Sequence, residues 1–413
     1  MTWDTAPVVT GLGVVAPTGI GVERHWESVL KGRSGIAPLE RFDPADYPLR
    51  LAGQVPDFTP RDSVPGRLLQ QTDRGTHMGL VAAAAALDDA GIDPADVPEF
   101  ELAVVTAASS GGTEFGQHEM ERLYQNGPGW VGAYQSIAWF YAATTGQISI
   151  RHGMRGPSGV LCQEQAGGLD TFGQARRLLR GGSRVVVAGG TDASLCPYGV
   201  VAQLSTRALS TATDPDSAYR PFAPDACGYV PGEGGAMLVV ERSDAAAARG
   251  ARTYGRVLGH AAGFDPAPVL DRPPALASTI ERALADAGVA PGAVGAVFAD
   301  AMGVPAADAA EAAALRAVFG PGAVPVTAPK TLTGRLYGGG SSLDVATAVL
   351  ALHHQVVPHT AGLDRPDPRH GVDLVVGGPR PAALDVVVVL ARGHGGFTSA
   401  LVLGRGDTAL DLP

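Results

Sequence analysis

Apolar and polar positions along this chain switch repeatedly between two periods. Val8 to Val15 is apolar apart from Thr10 and the glycines at 11 and 13. A run with so little polar alternation reads as a strand buried on both faces. Similar runs lie at 102–106, 184–190, 236–241 and 296–299. Between them the period lengthens: 73–90 carries an alanine-rich helical face, and 111–126 reads as a glycine turn followed by a helix. From Leu169 the apolar positions Leu169, Phe172, Ala175, Leu178 and Leu179 recur at helical spacing. Arg176, Arg177 and Arg180 load the last turn of this helix, and Gly181-Gly182 ends it. Position 165 therefore falls at the helix N-terminus, just after the strand-like Val160-Leu161-Cys162.

One phrase occurs twice. Ala86-Leu87-Asp88-Asp89-Ala90-Gly91-Ile92-Asp93-Pro94 returns as Ala283-Leu284-Ala285-Asp286-Ala287-Gly288-Val289-Ala290-Pro291. Each copy reads as a helix end, a glycine cap, a proline turn and then an apolar strand. The chain is thus expected to be duplicated, with halves at 1–245 and 246–413. Strands too apolar to face water, alternating with helices, imply an α/β fold of mostly parallel sheets sandwiched between helices.

Composition narrows the function classes. A chain of 413 residues, 45% hydrophobic and 17% charged, can bury two domain-sized cores. No apolar run approaches the roughly 18 residues of a membrane span. A formal charge of −10 argues against nucleic acid or an anionic membrane as partner. Residues 1–4 show no basic stretch leading into an apolar one, so a cytoplasmic location is expected. Cys162, Cys196 and Cys227 are too widely spaced for a metal site or disulfide framework and read as buried apolar fillers. Gly11-x-Gly13-x-x-Ala16 superficially matches a dinucleotide fingerprint, but Pro17, Gly19 and Gly21 prevent a helix from starting within the glycine turn.

The stretch Cys162-Gln163-Glu164-Gln165-Ala166-Gly167-Gly168-Leu169-Asp170 resembles the active-site segment of the β-ketoacyl synthases of the thiolase superfamily, in which a nucleophilic cysteine stands at the helix start. With Gln165 at the nucleophile position, the chain is most similar to the chain-length factors, the ketosynthase-β subunits of type II aromatic polyketide synthases. Further phrases agree, including Phe140-Tyr141-Ala142 with Gly146-Gln147-Ile148 and Gly228-Tyr229-Val230-Pro231-Gly232-Glu233-Gly234. The resemblance implies a thiolase fold, two duplicated βα halves in an αβαβα layered sandwich. It also implies a heterodimer with a Cys-containing ketosynthase-α, service by an acyl-carrier protein, and a phosphopantetheine-borne substrate that enters through the partner. No cofactor is expected to bind this chain directly.

Condensation needs a thiolate to hold the acyl chain and two histidines to stabilise the charge formed when malonyl decarboxylates. By resemblance, Asp300 takes the place of the first histidine and Arg335 that of the second. If both histidine positions face one thiolate, Asp300 and Arg335 should meet as a buried opposite-charge pair. Lys330 and Glu311 are retained, and in the ketosynthase pattern their positions pair. The late loop Gly393-His394-Gly395-Gly396-Phe397 has its His and Phe exchanged relative to that pattern. A Gln carboxamide is no nucleophile at neutral pH, so this chain should not condense alone. The alternative is a Gln165-dependent malonyl-carrier decarboxylase supplying the acetyl starter, which an anionic Asp300 would oppose.

In chain-length factors the helix after the Gly-Gly turn faces the polyketide tunnel. The corresponding positions are Thr113, Gly116 and Met120, which share one helix face. Because they are small or flexible, a deep cavity and a long product, a decaketide or longer, are expected. Closure of that floor by Tyr134, Trp139 or Phe140 is the other possibility.

Overall fold

The computed structural model describes residues 6–267 and 272–406. Strands β1 (Val8–Ala16), β2 (Leu102–Ala107), β3 (Ser158–Leu161), β4 (Val185–Asp192) and β5 (Gly234–Glu241) stand in the spatial order β3-β2-β4-β5-β1. The later residues repeat this order. Strands β6 (Gly255–Phe264), β7 (Ala296–Phe298), β8 (Pro325–Thr327), β9 (Val386–Arg392) and β10 (Phe397–Arg405) stand β8-β7-β9-β10-β6. The two sets join where Val8 and Val9 pair with Arg256 and Gly255.

The expectation of mostly parallel sheets needs correction. In each half β3-β2-β4 or β8-β7-β9 is parallel, and β8 also pairs in parallel with Asp373–Leu374, whereas the pairings of β4–β5, β5–β1, β1–β6, β9–β10 and β10–β6 are antiparallel. In the second half the cause is visible: the short turn 393–396 between β9 and β10 can only return the chain antiparallel.

Six helices complete the frame that positions the site: α1 (Arg74–Asp89), α2 (Thr113–Asn126), α3 (Gln165–Arg180), α4 (Leu276–Ala287), α5 (Pro305–Phe319) and α6 (Gly340–His354). Helix α1 covers β1, β4 and β5, and α4 covers β6 and β10 in the other half. Helices α3 and α6 touch strands of both halves and form the middle layer. That location explains their composition. Gly340 to Leu352 is buried throughout, so α6 is apolar or small on every side rather than amphipathic. The chain thus has the αβαβα layering expected from the resemblance.

The repeated phrase has a packing reason. A Cβ at Gly11 or Gly13 would stand 2.1 Å from the Ala86 carbonyl oxygen or 1.9 Å from that of Ala82, so these glycines let the alanine face of α1 lie directly on β1. Gly259 does the same in the second half, where a Cβ would be 2.4 Å from the Ala283 oxygen. The dinucleotide-like glycines therefore serve helix-on-strand contact. The cysteine expectation is met only at Cys196, which is buried; Cys162 and Cys227 are exposed, because each lies in a loop outside the strands and helices.

Candidate functional site

The site is built on a strained corner. After β3 the chain turns through Glu164, at φ 52° and ψ −131°, and Gln165 opens α3. A non-glycine residue held there costs about 1–3 kcal/mol, which the surrounding structure must offset. Two more such corners flank the site at Ala301 (φ 48°) and Tyr337 (φ 52°), each within two residues of Asp300 or Arg335. Gln165 is fully buried. Its main-chain carbonyl accepts the Ser341 hydroxyl at 2.5 Å, while both polar atoms of its carboxamide lack a hydrogen-bond partner. The amide lies flat against Gly340, where a Cβ would be 2.4 Å from Gln165 Oε1. A neighbouring close contact, Gly168 against Ser341, brings the starts of α3 and α6 together.

Asp300 and Arg335 do meet. Arg335 Nη1 is 3.2 Å from Asp300 Oδ1, and both side chains are inaccessible to solvent. The guanidinium reaches further, with Nε 3.1 Å from Glu164 Oε1, a short donation to the Arg392 carbonyl, and the Tyr229 ring beneath it at 5.4 Å. Arg392 closes the network from the other side. Its main-chain N–H donates to Asp300 Oδ1 at 2.9 Å, its Nε lies 3.3 Å from Asp300 Oδ2, and its Nη2 lies 3.0 Å from Glu311 Oε2. Burial alone would push the Asp300 carboxyl up, but Arg335, Arg392 and Lys330 outweigh it and hold the group below the usual carboxylate range. For Arg335 the opposing effect of burial is likewise overcome by Asp300 and Glu164, which keep the guanidinium charged.

The expected Lys330–Glu311 pair is not formed. Lys330 Nζ lies 2.8 Å from Asp344 Oδ2 on α6, an ion pair whose angle departs from a linear hydrogen bond. Glu311 instead receives the N–H groups of Asp300 and Ala301 at 2.8 and 2.9 Å, together with Arg392. The reason is local: a carboxylate on α5 that caps both amides of the strained 300–301 turn has its lone pairs committed there. Asp308, one turn earlier on α5, accepts from Phe222 and Gly303 N–H, and burial pushes its carboxyl up to about 7. Glu164, Arg392 and Asp344 belong to this site although the sequence pattern does not mark them. Glu164 adjoins Gln165 and Arg392 adjoins the glycine loop, so adjacency was the available signal.

Chemically this is a neutralised cluster without a nucleophile. No histidine side chain enters it among the described residues; His394 contributes only a main-chain N–H, to Glu164 Oε2 at 2.9 Å. Cys162 is exposed, and burial and then Asp192 raise its thiol above the usual range, the opposite of activation. Among the described residues no group of three His, Cys, Asp or Glu side chains could hold a metal, and no helix is long and apolar enough to cross a membrane.

A cavity of about 320 Å³ begins beside Glu164 and His394 and runs to Thr113, Trp139 and Tyr198, with Gln203 and Tyr337 on its wall. Of the three helix positions expected to face a tunnel, Thr113 lines this cavity, Gly116 is buried under Trp139, and Met120 is 39% exposed. The hollow expected at Gly116 is therefore filled by the Trp139 ring. Tyr141 and Tyr198, which line the cavity, are exposed, as are Tyr134, Ile137, Phe140 and Val201 in the same two segments of the chain.

Known proteins agree with this geometry. The family model for the β-ketoacyl synthase N-terminal domain matches residues 6–246 and that for the C-terminal domain residues 254–364. The chain is 58% identical over 96% of its length to the tetracenomycin polyketide synthase ketoacyl synthase beta subunit of Streptomyces glaucescens, covering 98% of that protein. It is 53% identical, with the same coverage of both proteins, to the actinorhodin polyketide putative beta-ketoacyl synthase 2 of Streptomyces coelicolor. Among solved structures, the ishigamide ketosynthase/chain length factor superposes with a TM-score of 0.89 at 28% identity, covering 97% of this chain and 99% of that one. With the duplicated fold, a glutamine where the nucleophile would stand and these matches together, the chain belongs to the β-ketoacyl synthase family, among relatives of the ketosynthase-β or chain-length-factor type.

Proposed function

We propose that this protein is the non-condensing subunit of a type II polyketide synthase, pairing with a Cys-containing ketosynthase and influencing the length of the chain made by the pair. The observation that carries this reading is the pairing of Arg335 with Asp300 and Glu164 beside a buried Gln165. A subunit so arranged has neither an acyl acceptor nor a neutral base. The partner supplies the thiolate, and an acyl-carrier protein delivers the phosphopantetheine-borne units there. Support for pairing comes from the edge of the sheet. β3 ends the strand order and is only partly covered, and an open edge of this kind calls for a partner.

The cavity at Thr113 is the part of this subunit that we assign to the growing chain, with Thr113, Gly116 and Met120 on the helix that bounds it. A role for Gln165 as a decarboxylase has less support: its amide is sealed beneath Gly340, and Asp300 carries a negative charge nearby. Reconstitution tests both points. Co-expressed with an intact ketosynthase and a carrier protein, the chain should co-purify as a 1:1 complex that makes polyketide, and Gln165→Ala should leave malonyl-carrier turnover within about twofold of wild type. A monodisperse monomer that never associates with the ketosynthase would sink the proposal, and loss of turnover with Gln165→Ala would restore the decarboxylase reading.

A further inference from the structure

Trp139 occupies a seat made of three glycines. A Cβ at Gly116 would stand 2.0 Å from Trp139 Cε3 and 2.1 Å from Cζ3, so the indole lies directly on the backbone of α2. Its main chain is equally confined: a Cβ at Gly111 would be 2.4 Å from the Trp139 carbonyl oxygen, and one at Gly112 would be 2.0 Å from that of Ala138. Gly112 N–H also donates to the Trp139 carbonyl at 3.4 Å. On its other side the indole faces the Tyr198 ring, with centroids 6.4 Å apart, and both rings border the cavity that Thr113 also lines. The seat is itself held in register. Asp73 receives Phe115 N–H at 2.9 Å, and Gln117 Oε1 receives Tyr198 N–H at 2.9 Å, which ties α2 to the elements on both sides.

We propose that Trp139 is the length-determining floor of the cavity, with its bulk delivered onto Gly116 from the segment after the short helix Gln135–Ala138 instead of from α2 itself. The proposal rests on the reading that this cavity receives the growing chain. Two features favour a specificity role over simple filling. An indole is large and rigid with only two rotatable side-chain bonds, so it makes a sharply placed wall. It is also only half-buried and reaches the cavity, whereas a residue needed solely for the core would be enclosed. Small residues on the helix then signify a seat for a ring, and not an open channel.

The test uses the reconstituted complex of ketosynthase, this chain and carrier protein, with product length read by mass spectrometry and complex integrity by size-exclusion chromatography. Trp139→Ala should lengthen the longest product by at least one two-carbon unit. Trp139→Phe, which keeps a ring on the seat, should stay at or near the wild-type length. Gly116→Ala must displace the indole and should alter the length distribution in the native background, yet add nothing to Trp139→Ala. Thr113→Phe is the control for the cavity itself and should shorten the product. Unchanged length with Trp139→Ala or with an intact Gly116→Ala complex, while Thr113→Phe shortens the product, would overturn the floor assignment alone. If Thr113→Phe also leaves length unchanged, the reading that this cavity takes the chain falls, and the present proposal with it.

Discussion

The guanidinium of Arg335 lies 3.2 Å from the Asp300 carboxylate with neither side chain reaching solvent. Buried pairs of this kind contribute little net stability when complete, because desolvation opposes the attraction. They become costly when broken. Arg335→Ala leaves Asp300 with Arg392 as its one remaining guanidinium partner and Glu164 with only the His394 N–H, and should destabilise the subunit by about 3–5 kcal/mol in urea unfolding of the complex. The double change Asp300→Leu with Arg335→Met should recover most of that loss. A single Arg335→Ala variant as stable as wild type would show that Arg392 suffices for Asp300 and the His394 N–H for Glu164.

Placing a thiol at the corner should not create a condensing enzyme. Gln165→Cys would stand at the start of α3, where the helix dipole favours a thiolate. Its surroundings remain Asp300, Glu164 and Arg335, with no histidine to stabilise the decarboxylation product. Paired with a ketosynthase whose own nucleophile is changed to alanine, Gln165→Cys should give no polyketide above background. Detectable chain elongation by that pair would contradict the inactive-cluster reading.

Asp73 joins two helices through one carboxylate. Its oxygens accept Gly75 N–H at 3.1 Å at the start of α1 and Phe115 N–H at 2.9 Å in the first turn of α2. The residue preceding α2 is Gly112, which offers no side-chain cap, so Asp73 supplies that function from a distance. Asp73→Ala should lower stability by about 1–3 kcal/mol, since it removes one cap and leaves a second amide unsatisfied. Asp73→Asn should lose less. Equal stability of wild type and Asp73→Ala would mean that water replaces the carboxylate at both amides.

Asp192 should make the subunit less stable as pH rises. It is buried and accepts Ser109 N–H at 3.0 Å and Gly338 N–H at 2.7 Å, but burial dominates and pushes its carboxyl up to about 7. The unfolded chain releases this proton near pH 4 and the folded chain only near 7, so the folded state binds protons more tightly across that window. The stabilisation is complete below about pH 4 and is lost as pH rises through about 7, at up to about 1.4 kcal/mol per unit. Asp73, raised to about 6 chiefly by burial, acts in the same direction, whereas Asp300, held low by its guanidinium partners, acts oppositely at acid pH. Asp192→Asn should flatten the decline in thermal midpoint between pH 5 and about 7; an unaltered slope would remove Asp192 as its source.

Much of the architecture is legible in the sequence. Local pattern placed the start of α3 at Gln165, and the repeated Ala-Leu-Asp phrase announced the duplication, because caps, turns and strand burial depend on residues close in sequence. Asp300 and Arg335 can be matched through the resemblance, which puts both at histidine positions facing one thiolate, where burial favours opposite charges in contact. Partner choice beyond that was decided by tertiary packing. Lys330 turned to Asp344 and Glu311 to the 300–301 amides because α5 and α6 approach the site from different sides, a geometry that no spacing along the chain encodes. The antiparallel β9–β10 pairing follows from the short turn 393–396, whereas β1–β5 and β4–β5 pair as they do through how strands distant in sequence meet. At Gly116 the resemblance implies a hollow, with closure by Tyr134, Trp139 or Phe140 as the alternative; Trp139 fills the space, because the volume omitted at one position of a close-packed interior is available to a side chain from elsewhere in the chain.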